Sequence, residues 1–110
     1  MGFLKKIYEE RKKYFENLER YLDYAKRIVK NFCPDAEIYL FGSVLEGNYS
    51  VGLSDIDIAI VSDEFRDRDK KLEIFGKLTE QFFDSPFEFH VLSKEQWEKF
   101  IKMVGKYRKI

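Results

Sequence analysis

The amino-acid sequence predicts an α+β domain: a small mixed β-sheet packed on one side by helices, with a long N-terminal helix. Three observations carry this expectation. Apolar residues recur at helical spacing along roughly the first thirty positions, three later runs have strand character, and helical patterns follow the second and third of these runs.

The first element runs from about residue 3 to 32. Leu4, Ile7, Tyr14, Leu18, Tyr21, Ala25, Ile28 and Phe32 follow steps of three and four, with Tyr8, Phe15, Leu22 and Val29 beside them. Together they form one apolar stripe wide enough for a core face. No proline or glycine interrupts it before Pro34. A straight helix of that length would measure about 45 Å, whereas a globule of this size is only about 27 Å across. The helix therefore bends or breaks, or its far end packs against something else. The aromatic residues Tyr8, Tyr14, Phe15 and Tyr21 accordingly have two readings, as core or as part of a partner surface.

Glu37–Phe41 is a short β run closed by Gly42-Ser43. The turn residues Gly47, Asn48, Ser50 and Gly52 follow, and Asp55 to Val61 is an isoleucine-rich second strand. Lys70 to Phe83 reads as a helix with Leu72, Phe75, Leu78 and Phe82 on one side, ended by Asp84-Ser85-Pro86. Phe87–Leu92 alternates strictly and reads as a third strand. Ser93-Lys94-Glu95-Gln96 matches a capping box, and Trp97, Phe100, Ile101 and Val104 supply the buried face of a last helix. Residues 1–110 read as one domain, with its core at 37–104.

Composition narrows the function. Lys+Arg and Asp+Glu balance at 20 each, so no global field draws in a long polyanion, and a general nucleic-acid binder is not expected. The short basic run Lys106-Tyr107-Arg108-Lys109 reads as a solvated end or a local patch. The single cysteine, Cys33, excludes an internal disulfide and a cysteine-based zinc site. No secretory or membrane-spanning apolar run is present, and the chain reads as cytoplasmic.

The chemistry is concentrated in Phe41-Gly42-Ser43-Val44-Leu45-Glu46-Gly47 and Leu53-Ser54-Asp55-Ile56-Asp57-Ile58-Ala59-Ile60. A strand ending in Gly-Ser before a helical turn lets backbone N–H groups and a hydroxyl face an anion, with phosphate the natural candidate. Asp55 and Asp57 lie two apart on a strand and project from one face, about 6–7 Å apart. Two such charges are costly unless a cation lies between them, and hard oxygen ligands suit Mg²⁺. Ile56, Ile58 and Ile60 form the opposite, core-facing side. Either half alone is weak, since Gly-Ser is usually a turn and Asp-x-Asp is often an exposed edge or a cap. Together they describe a metal–nucleotide site.

At these residues the chain resembles the polymerase-β-like nucleotidyltransferase superfamily, marked by Gly-Ser in a helical turn and Asp-x-Asp at the start of the next strand. Within it the chain is similar to the minimal nucleotidyltransferases, small proteins often paired with HEPN-domain proteins in toxin–antitoxin modules. The resemblance covers about residues 37–92. It implies that Gly42 and Ser43 hold the triphosphate, with Ser54 in the nucleotide-binding set, and that Asp55 and Asp57 chelate Mg²⁺. It also implies a third carboxylate on a neighbouring strand, for which Glu88 is the candidate. Alternation sets Glu88 and His90 on one face of the third strand, with Phe87, Phe89 and Val91 on the other. His90 is read as structural. The chain departs from the family in three places: eleven residues separate Ser43 from Asp55, Glu46 stands where relatives often carry arginine, and the third acid is glutamate.

The resemblance implies a nucleotidyltransferase that moves a nucleoside monophosphate, AMP from ATP, to a hydroxyl on a partner macromolecule, with two Mg²⁺ ions when nucleotide is bound. Little chain is left to form an acceptor platform, so a protein partner of the HEPN type is expected to supply it. Two alternatives stand beside this. One is a catalytically weak, antitoxin-like module that masks such a partner; the other is a homodimer built through the N-terminal helix.

Overall fold

A computed structural model describes residues 2–110. Two helices come first, α1 (Phe3–Glu16) and α2 (Leu18–Phe32), followed by β1 (Glu37–Phe41) and the one-turn helix α3 (Ser43–Glu46). Then come β2 (Ile56–Val61), a 3-10 turn (Asp63–Arg66), α4 (Arg68–Gln81), β3 (Phe87–Leu92), α5 (Lys94–Val104) and β4 (Tyr107–Lys109). The sheet order is β3-β2-β1-β4, with β2 and β3 parallel and the other two pairs antiparallel. The α+β class and the mixed sheet are as the sequence predicts. No helix among the described residues is long and apolar enough to cross a membrane.

The predicted N-terminal helix is broken. Asn17, at φ −115° and ψ 36°, ends α1 and precedes α2. Its backbone N–H and its side-chain amide both donate to the Lys13 carbonyl, at 3.0 and 2.9 Å. Asparagine's short amide competes with the helical ladder in this way, and the break needs neither proline nor glycine. It also resolves the aromatic stripe. Phe15 is buried, Tyr14 and Tyr21 pack half-buried against the core, and Tyr8 stays exposed.

The isoleucines of β2 place the main core on one face of the sheet. Ile56, Ile58 and Ile60 meet Ile38 and Leu40 of β1 and Phe89 and Val91 of β3, covered by Leu22, Ala25 and Val29 of α2 and Ile74 and Leu78 of α4. The stripe of α4 differs from the expected one. Ile74, Leu78 and Phe82 face the sheet, whereas Leu72 and Phe75 are exposed. The i, i+4 ridge, rather than the mixed three-and-four spacing, meets the strands. The helix also starts earlier than expected, at Arg68, because the Asp67 side chain accepts from the Asp69 and Lys70 amides.

Helices cover both faces of the sheet, not one. Trp97 of α5, flanked by Phe100, Ile101 and Val104, packs on the far face against Tyr39, Phe41, Ala59 and Val61. The Ser93–Gln96 capping box forms as predicted and sets the start of α5. The basic C-terminal run is exposed but is not a loose tail. It forms β4 along β1, with Lys109 on Glu37 at 2.9 Å, Arg108 on Glu19 at 2.8 Å, and the Tyr107 ring edge-on to Tyr39 and Trp97.

Cys33 closes the end of the sheet remote from Asp57. Its thiol lies 2.9 Å from Asp35 Oδ1 and 3.0 Å from Glu64 Oε2. Burial, then the Asp35 carboxylate, pushes the thiol from 9.0 up to about 12. The folded chain therefore keeps a proton that the unfolded chain loses, and this contribution to stability falls as pH rises from about 9 toward 12. At pH 8 iodoacetamide is expected to label Cys33 only on unfolding, so labelling against urea should trace the unfolding curve. Rapid labelling of the native protein would contradict this burial.

Candidate functional site

Strand register assembles the site before any side-chain contact is considered. Phe41, the last residue of β1, pairs with Asp57, and Asp57 pairs with Glu88 of β3. The end of β1 and the starts of β2 and β3 therefore stand abreast. Side chains in one row of a sheet share a face, so Asp57 and Glu88 project together on the α5 side. Ala59 and His90 form the row behind them.

Gly42 follows Phe41 at φ +86°, in a region that favours glycine. A Cβ on this residue would collide with Asp57 Oδ2 and lie 3.3 Å from Asp57 Cγ. The β1–α3 turn is thus pressed against the carboxylate. Ser43 opens α3, and helix geometry leaves the first-turn amides, Ser43 and Val44 among them, without partners inside the helix. The predicted juxtaposition of a Gly-Ser turn and an aspartate is therefore physical contact.

Asp57, Glu88 and His90 each offer a ligand atom, all within 4.8 Å of one another. His90 Nε2 lies 3.4 Å from Asp57 Oδ1 and 3.8 Å from Glu88 Oε1. Its ring is wedged between Phe41 and Phe100, at centroid distances of 5.2 and 5.6 Å. The histidine read from the sequence as structural rather than as a base or ligand thus also reaches the carboxylates. The sequence signal was available in its place beside Glu88 on the alternating strand.

Asp55 sits one residue before β2 and is exposed. The Glu88 carboxyl is held above its ordinary range, first by partial burial, then by Asp55 and the Asp57 charge, with His90 opposing. Half of this side chain is open to water, so screening limits the effect. Oxygen donors that crowd and repel in the absence of a cation suit a hard divalent ion, and the nearby imidazole is compatible with one. Ser54 serves the loop as well, its hydroxyl accepting the Ser50 amide at 2.8 Å.

Sequence reasoning passed over Arg11. From α1 its Nε donates to the Val51 carbonyl at 2.7 Å and its Nη2 to the Ser54 carbonyl at 2.5 Å. It is the only arginine among the lysines of α1, a faint signal at most.

The nucleotidyltransferase domain family matches residues 18–110, most of the chain and the whole of the Gly-Ser turn and carboxylate cluster. The chain belongs to the nucleotidyltransferase domain family. A crystal structure provisionally named a nucleotidyltransferase is 58% identical, with a TM-score of 0.75, covering 82% of this chain and 97% of that one. A second, from Sulfolobus solfataricus and provisionally named likewise, is 24% identical with a TM-score of 0.55, covering 86% of this chain and 82% of that one, and supports the fold alone. No curated protein matches the chain. This nucleotidyltransferase therefore carries the carboxylate cluster within the matched domain, while α1 precedes it.

Proposed function

We propose that this nucleotidyltransferase moves AMP from ATP to a hydroxyl on a partner protein, using Mg²⁺ held by Asp55, Asp57 and Glu88. The observation that carries this reading is the packing of Gly42 against Asp57, which sets the Gly-Ser turn beside the carboxylates. Mg²⁺ bound there would polarise the phosphoryl oxygens and offset the charge that develops on the leaving pyrophosphate.

Every other part belongs to the chain. The amides opening α3 and the Ser43 hydroxyl hold the distal phosphates. Asp57, which pairs with Glu88 in register and lies against Gly42, anchors the nucleotide side, and Glu88 at the sheet edge faces the acceptor side. The acceptor hydroxyl attacks the α-phosphorus, the bond to the bridging oxygen breaks, and pyrophosphate leaves with that electron pair. The hydroxyl proton passes to a carboxylate or to water. The half-exposed Glu88 is suited to take it.

A protein acceptor fits the exposed apolar start of α1. Phe3 and Leu4 are 77% and 79% exposed and Ile7 and Tyr8 lie beside them, an apolar end left largely open among the described residues. By its similarity to minimal nucleotidyltransferases the partner is of the HEPN type, the pair acting as a toxin–antitoxin module. The same exposed end favours a second reading, in which the chain masks that partner without turnover. Incubation with α-labelled ATP, Mg²⁺ and such a partner separates the two. The first reading expects a partner-linked AMP adduct that disappears with EDTA. A stable complex with no adduct under any divalent cation would leave only the masking role.

A further inference from the structure

We propose that Arg11 is a positioning residue for the metal-binding carboxylates, fixing the backbone that delivers Asp55 to the site. This rests on the metal reading given above. The loop 47–54 between α3 and β2 has little structure of its own: Ser50 accepts the Leu53 and Ser54 amides at 3.2 and 2.8 Å, and glycines stand at 47 and 52. A segment of this kind wanders unless something outside it holds it.

The hold comes from α1. The planar guanidinium presents donors in a fixed fork, and two of them span the carbonyls of Val51 and Ser54. Ser54 is bonded directly to Asp55, so the clasp ends at the residue it positions. One turn further along α1, Phe15 stacks on Tyr49 with ring centroids 5.0 Å apart and planes 4° from parallel. Tyr14 meets Phe87, the neighbour of Glu88, edge-on at 6.0 Å. A single helix thus grips the two segments that carry Asp55 and Glu88. That helix precedes the residues matched by the family.

The test uses Arg11→Met, which keeps much of the stem and loses both donors, with Lys5→Met on the exposed start of α1 as control. Mn²⁺ affinity is read by electron paramagnetic resonance, and amide exchange is followed at residues 50–56 and in β1. Arg11→Met is expected to weaken Mn²⁺ binding about ten-fold or more, the usual effect of losing a residue that orients a ligand. Exchange should accelerate at residues 50–56 and not in β1, while Lys5→Met behaves as wild type. If Arg11→Met loosens β1 as well, Arg11→Lys, which retains one donor group, should restore β1 and recover only part of the affinity. Wild-type exchange at residues 50–56 with wild-type Mn²⁺ affinity would overturn the proposal. Failure of the wild-type protein itself to take up Mn²⁺ would sink the metal reading instead. Exchange would then decide Arg11 alone: faster exchange upholds the clasp on the Asp55 backbone, and unchanged exchange refutes it.

Discussion

Asp57→Asn is expected to lower nucleotidyl transfer by about a thousand-fold while leaving the fold intact or slightly more stable. The side chain keeps its shape but loses a charge and a ligand oxygen, and presents an amide where a cation would sit. A ligated cation supplies several kcal/mol of charge stabilisation to a phosphoryl transition state. At 1.36 kcal/mol per factor of ten, a loss of about 4 kcal/mol gives the thousand-fold figure. Stability should move the other way, because Asp57 raises the Glu88 carboxyl and so opposes its ionisation. Functional sites commonly retain such conflicts at the expense of the fold. Thermal unfolding in EDTA, beside initial rates in Mg²⁺, measures both halves. A variant that keeps its activity would remove Asp57 from the site, and one that melts far below wild type would make it structural.

Gly42→Ala should be the most damaging single methyl group in the chain. At φ +86° and ψ −165°, a region essentially confined to glycine, an alanine costs about 1–3 kcal/mol of backbone strain. The added methyl also meets the Asp57 carboxylate, so either the turn or the carboxylate must move. A shift of about 1 Å at a reacting centre can cost about a hundred-fold in rate. The variant is expected to fold with a Tm lower by several degrees and to lose about a hundred-fold or more in transfer, with a matching loss of Mg-dependent ATP affinity. Gly47→Ala is the comparison. Gly47 also has a positive φ, +82°, though in the left-handed helical region, and a methyl group added there would meet nothing within 4 Å, so it should lose stability without a comparable loss of activity. Equal activity losses in the two variants would mean that strain, not contact with Asp57, explains Gly42.

The strands were legible because their chemistry is local. The isoleucines of β2 and the alternation of β3 each name a buried face, and the Gly-Ser turn and Asp-x-Asp pair are read without knowing what lies between them. The pairing of Asp57 with both Phe41 and Glu88 is a property of register, which the sequence pattern implies once the strands are aligned. What escaped depends on distant partners. Asn17 breaks the first helix by bonding back to Lys13, an outcome no apolar spacing encodes. β4 has only three exposed residues and becomes a strand because β1 offers a free edge and Glu37 and Glu19 offer charge. Arg11 acts through carbonyls 40 and 43 positions away, where side-chain identity leaves no trace. Leu72 and Phe75 fit a helical stripe on paper, but the sheet selected the ridge of Ile74, Leu78 and Phe82.

ATP titration by calorimetry, with Mg²⁺ and with EDTA, tests the nucleotide–metal site most directly, using wild type and Asp57→Asn side by side. The account predicts that wild type binds ATP in Mg²⁺, that EDTA weakens binding by at least about ten-fold, and that Asp57→Asn abolishes this difference. Equal ATP affinity in wild type with and without the metal, or an undiminished metal effect in Asp57→Asn, would contradict it.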